Sequence, residues 1–134
     1  MEVIGWFQKT NFISEELGKL SCEDAINYIS KVDWDECRTD FNLKLDEDPE
    51  VAPPGFGLNS DSGSLFHLYI QEAGWHLLLG IRDAGKFLGF IPKPIHQTTY
   101  KVANLNHIDE VVNAFYNSDR DEIFRTAQRH YEEI

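Results

Sequence analysis

The fold is decided by residues 65–91, LFHLYIQEAGWHLLLGIRDAGKFLGFI. This stretch holds three apolar runs of strand length, which are Leu65–Gln71, Trp75–Arg82 and Lys86–Ile91. The short segments between them, Glu72-Ala73-Gly74 and Asp83-Ala84-Gly85, contain glycine and suit hairpin turns. A further strand is expected at Thr98–Val102. The sequence therefore predicts an antiparallel meander at the centre of the chain.

Helix signals lie on both sides of this meander. Ser21 with Asp24 is a capping-box variant, and an apolar stripe at helical spacing follows it: Cys22, Ala25, Ile26, Ile29 and Val32. Asn106 is the expected cap of a second helix with a stripe over residues 108–115, and residues 118–121 repeat the Ser-x-x-Asp signal. An antiparallel sheet with helices packed on one face buries these stripes, so we expect an α+β fold.

The whole chain, residues 1–134, is expected to form one domain, because two halves would have marginal cores. Val3–Phe7 predicts a first strand. Apolar and polar residues alternate over residues 41–46, which is typical of a half-exposed strand. Prolines and glycines are frequent in the segment that follows, and we expect a long loop at about residues 46–64.

The net charge of −11 is unevenly distributed. Residues 1–64 hold 14 acids and 5 bases, whereas residues 65–134 hold 9 acids and 7 bases. Eight of the acids fall within residues 33–50: Asp33, Asp35, Glu36, Asp40, Asp46, Glu47, Asp48 and Glu50. Such a chain would repel nucleic acid and anionic membranes, and it favours a basic protein as partner.

The sequence holds no residue pattern that is typical of a catalytic or metal-binding site. The five histidines fall in separate predicted elements without ligand spacing: His67, His76, His96, His107 and His130. Cys22 and Cys37 form no Cys-x-x-Cys pair, and no nucleophile elbow or phosphate-binding glycine loop is present. We therefore expect a cytoplasmic protein that is not an enzyme and uses neither cofactor nor metal.

Acidic residues beside aromatic ones suit the recognition of a basic protein, since charge accelerates encounter and aromatic anchors supply affinity. The predicted partner-binding residues are Asp33, Trp34, Asp35, Glu36, Asp46, Glu47, Asp48, Glu50 and Phe56. The alternative for Trp34 is a core position at the end of the first helix. The alternative for the carboxylates is a solvated surface that has no partner.

Four features occur together in this chain: a short N-terminal strand, the segment Leu20-Ser21-Cys22-Glu23-Asp24-Ala25 that leads a helix into Asp33-Trp34, a β meander, and two closing helices. This layout resembles that of small bacterial immunity proteins, which neutralise polymorphic toxins, including those of contact-dependent inhibition systems. The resemblance implies that the chain binds a toxin domain, often a basic nuclease, and covers its active site or substrate groove. It implies no catalytic residues.

Two other functions remain open from the sequence. The first is a small-ligand-binding or regulatory module with a pocket near Phe56, Tyr69 and Trp75. The second is an enzyme that uses a pair of carboxylates, or His67 and His76 brought together across the hairpin.

Overall fold

The computed structural model describes residues 1–10, 13–71 and 73–134, with only the main chain of Phe87. The helices in these residues are α1 (Cys22–Lys31), α2 (Trp34–Glu47), α3 (Ile108–Asn117) and α4 (Arg120–His130). The strands are β1 (Val3–Gln8), β2 (Ser14–Lys19), β3 (Gly55–Ser60), β4 (Leu65–Gln71), β5 (Gly74–Arg82), β6 (Lys86–Phe87), β7 (Ile91–Pro92), β8 (Ile95–Val102) and β9 (Glu132–Glu133). The predicted α+β fold is confirmed.

Seven of the described strands form one antiparallel sheet in the order β2-β1-β3-β4-β5-β8-β9. β3, β4 and β5 are neighbours both along the chain and in the sheet, so the predicted meander lies at its centre. β6 and β7 pair with each other in a separate hairpin between β5 and β8. β2 was not predicted, and it forms one edge of the sheet.

One face of the sheet carries the hydrophobic core. A row of paired residues crosses five strands on this face: Phe7, Phe56, Leu68, Leu77 and Tyr100. Each of them is at most 5% exposed. The helices cover this face, since Tyr28 of α1 stacks on Phe56 at 5.3 Å and Phe115 of α3 meets Phe66 at 6.0 Å. Each such side chain contributes about 1.5–3 kcal/mol on burial.

Residues 41–46 belong to α2, so the strand predicted there is wrong. Asp33 is the N-cap of this helix, and its carboxylate accepts a hydrogen bond from the main-chain N–H of Glu36 at 3.0 Å. Trp34 and Phe41, seven residues apart, form the buried face. The alternation over residues 41–46 therefore reflects a partly exposed helix and not a strand.

The prediction of one long loop over residues 46–64 is wrong, because β3 lies inside it. Gly55 and Gly57 hide this strand from a sequence-based prediction, since glycine is depleted in strands. Packing explains both glycines. A Cβ at Gly57 would overlap the indole of Trp6, and a Cβ at Gly55 would lie 2.7 Å from the main-chain oxygen of Leu68.

The run Lys86–Ile91 is not one strand, as the sequence predicted. It folds back on itself as the β6–β7 hairpin, whose turn has Leu88 at φ 54° and Gly89 at φ 81°. Of the turn predicted at residues 72–74, Glu72 lies outside the described residues.

Helix starts follow the sequence closely. Ser21 is confirmed as the N-cap of α1. α3 and α4 begin one residue later than predicted, with His107 and Asp119 at the N-cap positions in place of Asn106 and Ser118.

We expect Gly57→Ala to lower the free energy of unfolding by about 1–3 kcal/mol. The new methyl group would overlap the indole of Trp6, which donates a hydrogen bond to the side chain of Asn59 at 2.6 Å. Gly80→Ala is the matched control, because a Cβ there meets Ile95 at 3.4 Å, an ordinary contact. Urea unfolding followed by tryptophan fluorescence measures both variants. Equal stability of the two would contradict the packing of Trp6 on β3.

Candidate partner-binding surface

Trp34 fixes the orientation of α2 on the sheet. Its ring lies 6.0 Å from the ring of Phe7 and 6.0 Å from that of Trp75, and its indole N–H donates to the main-chain oxygen of Ile29 at 3.1 Å. Trp34 is only 9% exposed. It is therefore a core residue, and it cannot be the exposed anchor that the sequence predicted.

Phe56 is also unavailable to a partner. It lies in β3 with 0% exposure, between Phe7 and Leu68 on the helix-covered face. The two aromatic residues predicted to contact a partner thus belong to the core. Phe56 was expected in a loop but lies in the buried strand β3, and Trp34 was expected at the end of a helix but lies on the buried face of α2.

The predicted carboxylates, in contrast, are all exposed. With Asp40, which is exposed as well, they make up what we call the acidic surface: Asp33, Asp35, Glu36, Asp40, Asp46, Glu47, Asp48 and Glu50. These residues lie on α2 and at its two ends, and a helix of 14 residues is about 21 Å long. Lys44 forms an ion pair with Asp40 at 3.2 Å. All eight carboxylates of the acidic surface therefore belong to one helix and its two ends.

An open cleft of about 430 Å³ lies beside the N-terminal half of α2. Four carboxylates line it, and these belong to Glu15, Asp33, Glu36 and Asp40. Phe7, Tyr28 and Pro54 supply apolar walls, and Lys9 contributes one positive charge. Glu15 reaches the cleft because it pairs with Phe7 across the β1–β2 ladder. The edge strand thus extends the negative region beyond α2.

The thiol of Cys37 reports how close these charges are to one another. Burial, followed by the charges of Asp33, Glu36 and Asp40, raises the pKa of Cys37. Burial is also the main cause that raises the pKa of Tyr28, with a smaller contribution from Glu15 on β2. Because all three carboxylates contribute to this shift, Asp33, Glu36 and Asp40 lie near the same thiol. A raised pKa also keeps Cys37 protonated at neutral pH, so it is not an activated nucleophile.

The acids at the end of α2 oppose the stability of the helix. Asp46 and Glu47 lie in its last turn, where the helix dipole favours cations. Beyond them, the main-chain N–H of Asp48 donates to the oxygen of Lys44 at 2.8 Å, and the Asp48 carboxylate accepts from the N–H of Glu50 at 3.0 Å. Charges at this end do not stabilise α2, which leaves solvation and recognition as their roles.

Leu43 is a surface residue that the sequence did not identify. It is 63% exposed, and Asp40 and Glu47 flank it at three and four residues' distance on the same helix face. An exposed leucine among carboxylates combines an apolar contact with a charged rim. The sequence signal that could have revealed the exposure of Leu43 is Asp33, a residue type that caps helices. A helix that begins after Asp33 places Leu43 on the face opposite Trp34.

The sheet face opposite the helices carries a row of aromatic side chains. The ring of His67 lies 4.8 Å from Trp6 and 4.8 Å from Tyr69, and Tyr69 lies 5.7 Å from His76. His67 and His76 therefore share a face of the sheet, as the hairpin suggested, with Tyr69 between them.

The pocket predicted near Phe56, Tyr69 and Trp75 is not formed by these residues. Phe56 and Trp75 contact helices, whereas Tyr69 lies on the opposite face of the sheet, because successive residues of a strand alternate in direction.

Among the described residues, the donor atoms of His107, Glu110 and His130 all lie within 4.8 Å of one another. These side chains belong to α3, its N-cap and α4, and none of them is part of the acidic surface. The spacing of His107 and Glu110 on one helix face was visible in the sequence. The approach of His130 depends on the packing of α4 against α3.

Within the described residues, the structure has no helix that combines the length and the apolar character needed to span a membrane. No protein-family model, curated protein or solved structure matches this sequence. Function is therefore inferred from the geometry and charge of the chain itself.

Burial lowers the pKa of His67 to about 4. An unfolded histidine titrates near pH 6.5, so between these two values the unfolded chain takes up a proton that the folded chain does not. Stability is full above about pH 6.5 and falls as the pH drops towards 4, by roughly 3 kcal/mol in total from this residue. We expect His67→Gln to have a flatter stability curve over this range, measured by urea unfolding at successive pH values. A slope equal to that of the wild type would contradict this assignment.

Proposed function

We propose that this chain is an immunity-type inhibitor that binds a cationic toxin domain through the acidic surface and covers the toxin's active site. The observation that carries the proposal is the convergence of Asp33, Glu36 and Asp40 on one cleft and on the thiol of Cys37. A region of this sign attracts a basic protein and accelerates its association.

The size of the surface supports a protein partner. α2 alone is about 21 Å long, and the edge strand adds Glu15, which is exposed and pairs with Phe7 on the helix-covered face of the sheet. A standard interface buries about 800 Å² on each partner, which requires a surface of this extent. A toxin that acts on nucleic acid carries lysine and arginine in its substrate groove, and carboxylates spaced along a helix can occupy the positions of phosphates there.

Leu43 supplies the apolar part of this interface. Charge complementarity sets the association rate and specificity more than affinity, whereas a desolvated apolar contact slows dissociation. The position of Leu43, 63% exposed in the middle of the acidic surface, fits that second role.

The first test reverses charge at the end of α2 with Asp46→Lys and Glu47→Lys combined. We expect the association rate constant with the toxin domain encoded by the neighbouring gene to fall by about 10-fold or more, with a weaker dependence on salt. The fold should tolerate the change, since cations suit the last turn of a helix. Stopped-flow measurements at several salt concentrations provide the rates.

The control for this test is the double variant Glu132→Lys and Glu133→Lys, which changes the net charge equally on exposed residues of β9. Its association rate should stay within about twofold of the wild type. Equal losses in both double variants would mean that net charge alone acts, and no loss in either would remove the acidic surface from the mechanism. A neighbouring gene without a toxin domain would also count against the proposal.

The second test replaces Leu43 with serine. The expected result is a dissociation rate about 10-fold faster with an unchanged association rate, because an apolar contact is lost and no charge is altered. Thermal unfolding of Leu43→Ser should match the wild type, since the side chain is exposed. Leu58→Ser, in the core at 0% exposure, provides the contrast, because it should unfold at a much lower temperature. Unaltered dissociation of the Leu43→Ser complex would exclude this residue from the interface.

A second candidate function, a small-ligand-binding module, is favoured by the cleft itself. Its volume of about 430 Å³ suits a small molecule, and its four carboxylates favour a polycation. Spermidine is a suitable probe in a thermal-shift assay. A rise in melting temperature that disappears in Glu36→Gln would support this function over toxin binding.

A further inference from the structure

Three polar side chains meet where the start of α3 approaches the end of α4. Nδ1 of His107 lies 3.0 Å from Oε2 of Glu110, and Nε2 of His130 lies 2.9 Å from the same oxygen. The two imidazole rings are stacked, with centroids 4.1 Å apart and planes within 6° of parallel. One carboxylate oxygen therefore faces two imidazole nitrogens from different helices.

The position of His107 in α3 is unusual. It occupies the N-cap, where serine, aspartate and asparagine are preferred for their capping oxygen, yet its side chain makes no capping hydrogen bond. Its ring contacts Glu110 in the first turn of the helix. The histidine thus has no capping role that would explain its place there.

His130 is the most buried member of the cluster. Its side chain is 14% exposed, against 53% for His107 and 44% for Glu110. Although Nε2 of His130 is 2.9 Å from the Glu110 carboxylate, it is buried and has no hydrogen-bond partner with suitable geometry. A buried polar atom without a partner costs free energy. A cation bound between the two groups would supply that partner.

We propose that His107, Glu110 and His130 bind a divalent transition-metal ion of the zinc class, with solvent in the fourth position. Two imidazole nitrogens and one carboxylate oxygen suit Zn²⁺, Co²⁺, Ni²⁺ and Cu²⁺, whereas Ca²⁺ and Mg²⁺ prefer oxygen ligands alone. Three protein ligands and one open position are common in zinc sites.

The cluster must rearrange to hold such an ion. Bonds of about 2.0–2.1 Å place tetrahedral ligand atoms roughly 3.3 Å apart, so the separations of 2.9 and 3.0 Å to Glu110 must open by a few tenths of an ångström. The two histidine nitrogens, which lie within 4.8 Å of each other, must also settle at about that separation. One ring must also tilt from the stacked arrangement, so that both nitrogen lone pairs point at the ion. His107 and Glu110 are exposed enough to make these movements while His130 stays in place.

Metal binding at this place has a structural consequence. The ion would join the start of α3 to the end of α4 by bonds that exist only in the folded chain. Binding to the folded state alone raises the melting temperature in proportion to the logarithm of ligand concentration.

The test uses untagged full-length chain, freed of metal with a chelator and titrated with ZnCl₂ at pH 7.5 by calorimetry. We expect one ion per chain and a rise in melting temperature in the presence of zinc. His107→Gln and Glu110→Gln, both at exposed positions, should weaken binding by at least about tenfold without unfolding the chain. His96→Gln replaces an exposed histidine outside the cluster and should bind zinc as the wild type does.

Titration with CoCl₂ adds a direct readout, because the visible absorption of Co²⁺ reports its ligands and geometry. An intense four-coordinate spectrum that is lost in His107→Gln supports the site. The proposal is overturned if no zinc is taken up at about 100 μM, if His107→Gln binds zinc as tightly as the wild type, or if His96→Gln loses binding to the same extent.

Discussion

The burial of one face of the sheet is the constraint on which the rest of this molecule depends. The row of side chains from Phe7 to Tyr100 must be kept from water, and α1, α2 and α3 pack against or beside it. Trp34 is kept from water in one orientation of α2, in which its ring lies between those of Phe7 and Trp75. That orientation turns Leu43 and the carboxylates outwards, so the acidic surface is a direct consequence of the hydrophobic core.

The two ends of α2 use negative charge differently. At its start, Asp33 caps the helix and Glu36 lies in the first turn, so these charges favour the helix dipole and have a role in folding. At its end, Asp46 and Glu47 oppose the dipole. Folding therefore explains the first group without reference to a partner, but it does not explain the second. In the proposed function both groups attract a cationic partner, and the C-terminal acids are the better place to test it, because the stability of α2 does not depend on them.

Local patterns made the central strands and the helix starts predictable, because turn glycines and capping residues act over three or four positions. β3 was missed because its glycines are set by contacts with Trp6 and Leu68, which are distant in sequence. α2 was missed because a helix with few apolar residues can imitate the alternation of a strand. Because β3 was missed, Phe56 was placed on the surface, and because α2 was missed, Trp34 was placed there as well.

Of the predicted site, the carboxylates are exposed as expected, since charge is almost never buried unpaired. Leu43 required the helix to be recognised first.

The proposed metal site and the acidic surface lie in different parts of the fold. Trp75 contacts Trp34, and Arg38 of α2 lies over its ring at 5.3 Å and donates a hydrogen bond to the main-chain oxygen of Gly74 at 2.9 Å, so the start of β5 links α2 to the sheet. Between Trp75 and His130 there is a cavity of about 490 Å³, lined by both residues. A cavity transmits strain less well than packed side chains do, because few atoms are in contact across it. Occupancy of the cluster should therefore stabilise α3 and α4 while the orientation of α2, fixed by Trp34, stays the same.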